Sequence, residues 1–453
     1  MRYVVCVDTG STFTKAVAVV VEGGDAGRLL ASAAVPTTVG KGVDVLTGLD
    51  AAVAAVVARA GGEPADVRAC SSAGGGLRLA VVGYERAVTA EAGSRVALTA
   101  GAKVVHVASG RLDRAGTDAL RAASSDVVLL VGGTDGGDSD VLVHNGSRLA
   151  STGPRVPYVV AGNADVRDDV IAALADRGRT VVGCANVLPR IGVLDPLPAR
   201  AAIRDVFVRH VIGGKGISRG PRFASLVRGA TPDLVLAGVE LLADSGVGDV
   251  LLVDVGGATT DVYSALTPDP EEAVNPHREV VEVLRRGRTV EGDLGMRWGA
   301  TGVVDAAISE KLLGESTGLS AAALARRADV GLLPTSESER DEDAEIARLA
   351  LTVALRRHAR PLETAEGRTA GRDLTRVRTV IASGGVFRHA SAERLRFMLE
   401  PVLTDIGGGW RLPTAPEMCL DHGHVVAAAG LLAPDHPDAA ATLVRGGAIP
   451  VGT

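Results

Sequence analysis

The chain has 453 residues and a net charge of −6, with 46% hydrophobic but only 2% aromatic residues. That length fits about three domains, or two large lobes with an insertion, around a core of Ala, Val and Leu. The charge excludes general nucleic-acid affinity, which needs a basic face. No apolar run approaches a membrane span, and the N-terminus reads as a strand without a signal core. Cys6, Cys70, Cys184 and Cys419 share no Cys-x-x-Cys spacing, so they read as reduced core residues of a cytoplasmic protein and not as a zinc or iron–sulfur site.

Tyr3–Val7 reads as a buried strand that runs into Asp8-Thr-Gly-Ser-Thr-Phe-Thr-Lys15, with further strands at Thr14–Val21 and Arg28–Val35. Val43–Ala60 has helical periodicity and stops at Gly61-Gly62; Val67–Ser72 is a strand ending in Ser71-Ser72-Ala-Gly-Gly-Gly76. From about Leu77 to Arg219 the pattern changes. Strands (Val104–Ala108, Val127–Val131, Pro157–Ala161, Thr180–Cys184) alternate with helical stretches (Thr117–Ala123, Ser139–Leu149, Asp165–Asp176), which predicts a small parallel sheet. Val131-Gly-Gly-Thr-Asp-Gly-Gly137 fits either a structural turn or an anion-binding one. Gly213-Gly-Lys-Gly-Ile-Ser218 is not a Walker A loop, because Arg209 stands where the leading Gly belongs and a helical stretch, Ala199–Val211, precedes it.

Thr231–Ala243 is a helix with Pro232 in its first turn and small residues at Ala237 and Gly238. Val250–Val253 is a strand leading to Asp254-Val-Gly-Gly-Ala-Thr-Thr-Asp261 and a second strand, Val262–Ala265. Pro268–Asn275 reads as an acidic, solvent-facing loop, and Thr289–Arg297 leads into a helical region. Leu332–Ala344 is a charged loop and helix start, and Ala344–His358 is amphipathic. Val377–Ala382 is a strand running into Ser383-Gly-Gly-Val-Phe-Arg388, and His424–Ala433 is a second small-residue helix.

Asp8–Lys15 and Asp254–Asp261 repeat one chemistry: a strand, a carboxylate, a turn of Gly and hydroxyl residues, then another strand. Gly lets the backbone approach a phosphate, and successive turn amides make an anion-binding nest. A carboxylate cannot hold phosphate directly, so Asp8 and Asp254 make sense with a hydrated Mg²⁺ between them and the anion. Gly10, Ser11, Thr12, Gly256, Gly257, Thr259 and Thr260 are then the expected phosphate holders. Lys15 and Asp261 are the candidates for assisting the γ-phosphate step, with Asp261 orienting water or accepting its proton.

The order of these motifs resembles the actin, sugar-kinase and heat-shock-chaperone ATPase superfamily. Asp8–Lys15 corresponds to phosphate 1, Asp254–Asp261 to phosphate 2 and Ser383–Arg388 to the adenosine motif, with Gly384 and Gly385 against the nucleoside. Thr231–Ala243 and His424–Ala433 correspond to the connector helices. The resemblance implies an α/β, two-lobed, actin-like ATPase with a duplicated ribonuclease-H-like fold and a βαβ insertion in the first lobe. The expected division is a first lobe over 1–245, with the insertion at about 77–219, a second lobe over 246–423, and a connector helix and tail over 424–453.

Within that superfamily three readings compete. A sugar or acid kinase needs a general base facing a substrate pocket, and no candidate stands out. Gly10–Lys15 is shared with activator ATPases of 2-hydroxyacyl-CoA dehydratases, but those need cluster-binding cysteines that this chain lacks. The chain most resembles the MutL/GlmL family encoded beside adenosylcobalamin-dependent glutamate mutase. The matching stretches are Cys70–Gly75, Leu98–Lys103, Leu130–Gly137, Val160–Asn163, Asn186–Pro189, Val253–Val262 and Arg288–Met296. It departs from that pattern with Thr231-Pro-Asp233, where Thr-Pro-Ala is expected, and in lacking an aromatic around His422. The resemblance implies a slow ATPase that uses ATP and Mg²⁺ to reactivate or maintain a mutase of the glutamate/methylaspartate type. Its partners are then mutase subunits, with no nucleic acid and no membrane. An assembly scaffold with little turnover and a small-molecule kinase are the alternatives.

Overall fold

The computed structural model describes residues 1–39, 43–73, 76–267, 285–314, 318–361, 363–364, 367–368, 371–405 and 407–451. The acidic loop expected at 268–275 and the glycines at 74–75 lie outside the described residues.

The first sheet opens with an antiparallel run, β1 (Tyr3–Thr9), β2 (Phe13–Val20) and β3 (Leu29–Pro36). Helix α1 (Val45–Ala60) follows; the Asp44 side chain caps its start by accepting from the Leu46 amide, and Gly61, at φ 76°, ends it. This is the ordinary division of labour between helix termini. β4 (Asp66–Ser71) then returns parallel to β1.

The chain next builds a separate sheet from β5 (Leu77–Gly83), α2 (Glu91–Thr99), β6 (Ala102–Ser109), α3 (Arg114–Ala122), β7 (Val127–Leu130), α4 (Asp140–Thr152), β8 (Tyr158–Val160), α5 (Ala164–Ala175) and β9 (Val181–Gly183). All its pairings are parallel, in the order β6-β5-β7-β8-β9. The parallel sheet was expected; its strand β5, between β6 and β7, was not read from the sequence. Helices α6 (Leu197–Val206) and α7 (Pro221–Leu226) lead back to β10 (Val227–Ala230), which pairs with β4. Lys215 lies in a short turn between them and donates to Asp126 Oδ2 at 2.6 Å, so it is a structural cation.

After α8 (Thr231–Leu242) comes a second mixed sheet, beginning with the antiparallel run β11 (Val250–Val255), β12 (Thr260–Ala265) and β13 (Arg286–Glu291). Helices α9 (Ala300–Ser309), α10 (Leu319–Ala328) and α11 (Glu337–Ala359) follow. The last starts earlier than its amphipathic stretch, because Ser336 and Glu339 form a reciprocal capping box. Beyond a two-residue hairpin, β14 (Glu363–Thr364) with β15 (Gly367–Arg368), the chain continues through β16 (Thr379–Ser383), α12 (Gly385–Arg388), α13 (Ala392–Leu403), β17 (Glu417–Asp421), α14 (Val425–Leu432), α15 (Pro437–Gly447) and β18 (Ala448–Pro450).

The two mixed sheets share one topology. Each has three antiparallel strands, then two more added parallel to the first, giving β3-β2-β1-β4-β10 and β13-β12-β11-β16-β17; β18 extends the second. Side-chain alternation divides each first strand between two cores. Tyr3, Val5 and Val7 of β1 join the first lobe's core, while Val4 and Cys6 face the other way. In β11, Leu251, Val253 and Val255 pack in the second lobe and Val250 and Leu252 face away. The outward residues of both strands meet α8 and α14 in one shared core. There the helices touch backbone to backbone: a Cβ on Gly238 would stand 2.2 Å from the Val426 carbonyl oxygen, and one on Gly430 2.0 Å from that of Leu234. Only glycine permits that approach.

Candidate functional site

The equivalent strands of the two sheets end in equivalent turns. Asp8 is the cross-strand partner of Lys15, and Asp254 of Asp261. Each turn is closed by the same backbone bond, Gly10 N–H to the Phe13 carbonyl at 3.1 Å and Gly256 N–H to the Thr259 carbonyl at 2.9 Å. A side chain at Gly10 would meet the Phe13 carbonyl at 2.8 Å. The turns face each other: a Cβ on Gly257 would lie 3.3 Å from Thr12 Oγ1. Among the described residues, the amides of Ser11, Thr12, Gly257 and Ala258 have no hydrogen-bond partner. Four open donors on two facing turns are an anion site in both charge and geometry.

Behind the turns the two aspartates differ. Asp8 is engaged at both oxygens: Lys15 Nζ donates to Oδ2 at 3.1 Å, while the Thr231 hydroxyl at 2.6 Å and the Cys70 thiol at 3.6 Å donate to Oδ1. Asp254, half-buried, accepts no hydrogen bond from any described residue. Its free carboxylate lines a space of about 20 Å³ shared with Asp8, Lys15, Ser383 and Asp421, room for about one water or a small cation. Oxygen donors of this kind fit hydrated Mg²⁺. No three His, Cys, Asp or Glu side chains converge as a ligand cage among the described residues. Asp8 and Asp254 would therefore face such an ion alongside water and phosphate oxygens.

Burial works against the charge of Lys15, but facing Asp8 and Asp254 outweigh it and its pKa is raised. Burial raises the pKa of Asp261, and Asp254 adds to that. The opposing influence is Arg288, whose Nη2 donates to Asp261 Oδ1 at 2.9 Å. Among the described residues Asp261 Oδ2 receives only the Thr259 hydroxyl, at 3.4 Å. Arg288 is itself buried over the Tyr263 ring, 5.7 Å from its centroid, and two of its nitrogens have no hydrogen-bond partner among the described residues.

The structure thus brings Asp8, Gly10, Ser11, Thr12, Lys15, Asp254, Gly256, Gly257, Thr259 and Asp261 together around one cleft. Thr260 is the correction. It pairs opposite Val255 and turns into the second lobe's core, with its hydroxyl buried and unpartnered, so its side chain does not join the phosphate turn. Gly384, at φ 133°, follows β16 with its Cα against the Val255 carbonyl, and exposed Gly385 opens α12. The residues after Gly295 brace the second turn: the Met296 amide donates to the Gly256 carbonyl, and the Arg297 and Trp298 amides to that of Gly257.

Sequence reasoning missed the groups that follow the last parallel strand of each sheet. Thr231 follows β10 and opens α8; Asp421 ends β17 and caps α14 by accepting from the Val425 amide at 2.8 Å. Burial raises the pKa of Asp421 against the effect of Arg388. Arg388 is held by its Nε on the Asp421 carbonyl at 2.9 Å. Burial, with Arg388 and Lys15 near, pushes His424 down to about 2, so the ring is neutral. Their common signal is position at the carboxyl end of a parallel strand, where open α/β sheets place ligands.

All four cysteines are free, and three are buried. Among the described residues no helix is long and apolar enough to cross a membrane.

The fold is a duplicated α/β fold, with two mixed sheets of one topology. Solved structures resemble it at low similarity: nucleotide-free acetone carboxylase (14% identity, TM-score 0.39, covering 95% of this chain and 70% of that one) and the Acidaminococcus fermentans (R)-2-hydroxyglutaryl-CoA dehydratase component A (10% identity, TM-score 0.31, covering 97% and 100%). Likeness at that level carries no functional argument. Sequence similarity reaches further. Protein MutL of Clostridium tetanomorphum is 34% identical over 457 residues, covering 97% of both chains. Residues 4–446 match the family model described as MutL protein. The chain belongs to the MutL protein family.

Proposed function

We propose that this protein binds and slowly hydrolyses ATP with Mg²⁺, and that the cycle reactivates or maintains an adenosylcobalamin-dependent mutase of the glutamate/methylaspartate type. The observation that carries the nucleotide reading is the pair of equivalent turns with four open amides, backed by the unengaged carboxylate of Asp254. Family membership supports the accessory role.

The amides of Ser11, Thr12, Gly257 and Ala258 bind phosphate oxygens, and the hydroxyls of Ser11, Thr12 and Thr259 add donors. Mg²⁺, when bound, neutralises phosphate charge. Asp254 and Asp8 orient its water shell. Lys15 balances the charge on Asp8, and Asp261 Oδ2 is placed to orient a water or take its proton. Gly384 and Gly385 offer backbone to the nucleoside. Because one turn belongs to each lobe, a triphosphate held by both favours closure, and its hydrolysis weakens the bridge. A lobe state that binds the mutase more tightly would then be populated only part of the time, letting damaged cofactor leave.

The test is recovery of activity by inactivated mutase with this protein, ATP, Mg²⁺ and fresh adenosylcobalamin. Recovery that needs ATP turnover supports the reading. ATP-dependent binding without recovery supports the scaffold, and phosphorylation of a small molecule at a good rate supports the kinase.

A further inference from the structure

We propose that Thr231 is a positioning residue for Asp8, and that its hydrogen bond carries nucleotide state from the cleft into the inserted parallel-sheet unit through Asp233. The proposal rests on the reading of the cleft as a Mg-ATP site and adds which part of the molecule responds.

Three observations converge on the first turn of α8. The Thr231 hydroxyl donates to Asp8 Oδ1 at 2.6 Å, and Thr231 itself lines the candidate cation site beside Asp8. Two residues on, Asp233 is 1% exposed and holds two arginines of α6: Arg200 Nε donates to it at 2.7 Å, and Arg204 donates through Nε and Nη2. Arg200 also spans two helical turns of α8, with Nη2 on the Asp233 carbonyl at 3.0 Å and Nη1 on Glu240 at 2.8 Å. From the other side, a Cβ on Gly101, in the turn joining α2 to β6, would stand 2.8 Å from the Asp233 amide nitrogen. The N-terminus of α8 is therefore wedged between two parts of the inserted unit, with its hydroxyl on the cleft.

Both Asp8 oxygens are occupied by protein donors. Oδ1 already takes two donors, Thr231 and Cys70, so a cation's water that donates to Oδ1 competes with the Thr231 hydroxyl there. Lys15 is fixed on β2 within the same lobe; Thr231 sits at a helix end. A shift of Thr231 displaces Asp233, and a buried carboxylate gripped by two guanidiniums cannot move without them. The Arg200–Asp233–Glu240 clamp thus converts a change at Asp8 into a movement of α6, which packs under the inserted sheet.

The experiment is hydrogen–deuterium exchange on the full chain with and without Mg-ATP, with nucleotide affinity measured in parallel by calorimetry. In the wild type, exchange across Leu197–Val206 should change about fivefold or more on adding Mg-ATP, the range of an ordinary allosteric coupling. Thr231→Val should abolish that change and Thr231→Ser restore it. Arg204→Gln removes the more exposed partner of Asp233 and so is the variant that keeps the fold; it should reduce the response while leaving ATP affinity within about twofold. Asp233→Asn is the stronger version. Nucleotide binding with no response in α6, or a full response in Thr231→Val, overturns the coupling alone. Failure of the wild type to bind nucleotide overturns the site reading beneath it.

Discussion

Lys15 and Asp261 hold the same position in the two turns, each directly across the hairpin from the aspartate one residue before the end of its first strand. The charges are opposite. Lys15 neutralises Asp8, whereas Asp261 adds a second carboxylate beside Asp254 and is balanced from behind by Arg288. The second hairpin therefore faces the cleft with a carboxylate in need of a cation. Asp254→Asn should abolish Mg-ATP hydrolysis and leave the circular dichroism spectrum and melting profile intact. Turnover near that of the wild type would sink the assignment.

Lys15→Met should slow hydrolysis by about 10²-fold or more, the usual cost of removing one charged group from a phosphoryl-transfer site. Single-turnover kinetics would separate this from weaker binding. A loss confined to ATP affinity would show that Lys15 serves only Asp8.

Mg-ATP should raise the melting temperature, since a ligand at 100 times its dissociation constant stabilises by about 2.7 kcal/mol. ATP with a chelator should give a clearly smaller shift in differential scanning fluorimetry. In Asp254→Asn the magnesium-dependent part should vanish. An equal shift with and without the metal would separate the two aspartates from any cation.

Arg288→Met leaves Asp261 buried with no counter-charge, and breaking such a pair costs about 3–5 kcal/mol. Urea denaturation should show that loss, and Asp261→Asn combined with Arg288→Met should recover most of it. A destabilisation that persists in the double variant would mean Arg288 contributes chiefly by packing on Tyr263.

His358 is wholly buried between Ser264 (3.0 Å) and Thr289 (2.9 Å), and burial holds its pKa well below 6.5. The folded state keeps it neutral while the unfolded chain takes up a proton below about 6.5. Its contribution to stability is therefore present above that pH and falls by about 1.4 kcal/mol for each unit below it. His358→Gln, which does not titrate, should flatten the acid limb of stability measured between pH 6.5 and 5. An unchanged slope would place the acid sensitivity elsewhere.

Much of this site was legible because turn chemistry is local. Asp8-Thr-Gly and Asp254-Val-Gly-Gly each announce a strand end, a tight turn and open amides within a few residues. Thr260 was misplaced because composition was read without strand alternation: Asp254 and Asp261 share a face, so the residue between Thr259 and Asp261 must point to the core. Thr231, Arg388 and His424 were read only as parts of a connector helix or of the Ser383–Arg388 stretch, not as cleft groups, and Asp421 was not read at all. They meet only because two sheets put the ends of distant strands at one cleft, and nothing local marks them. β5 escaped notice for a related reason. Its apolar run follows a glycine-rich stretch, and only its pairing with β6 and β7 reveals it as an interior strand of the sheet.

The core shared by α8, α14 and the outward residues of β1 and β11 has a consequence for how the chain comes apart. Each half bears an oily seam whose cover is largely the other half, as the leaves of a book share one glued spine. A cut at Ser245–Gly248, between α8 and β11, would leave the fragments together under native conditions, and either half made alone would aggregate. The covers can swing; the binding cannot be opened without unmaking the book.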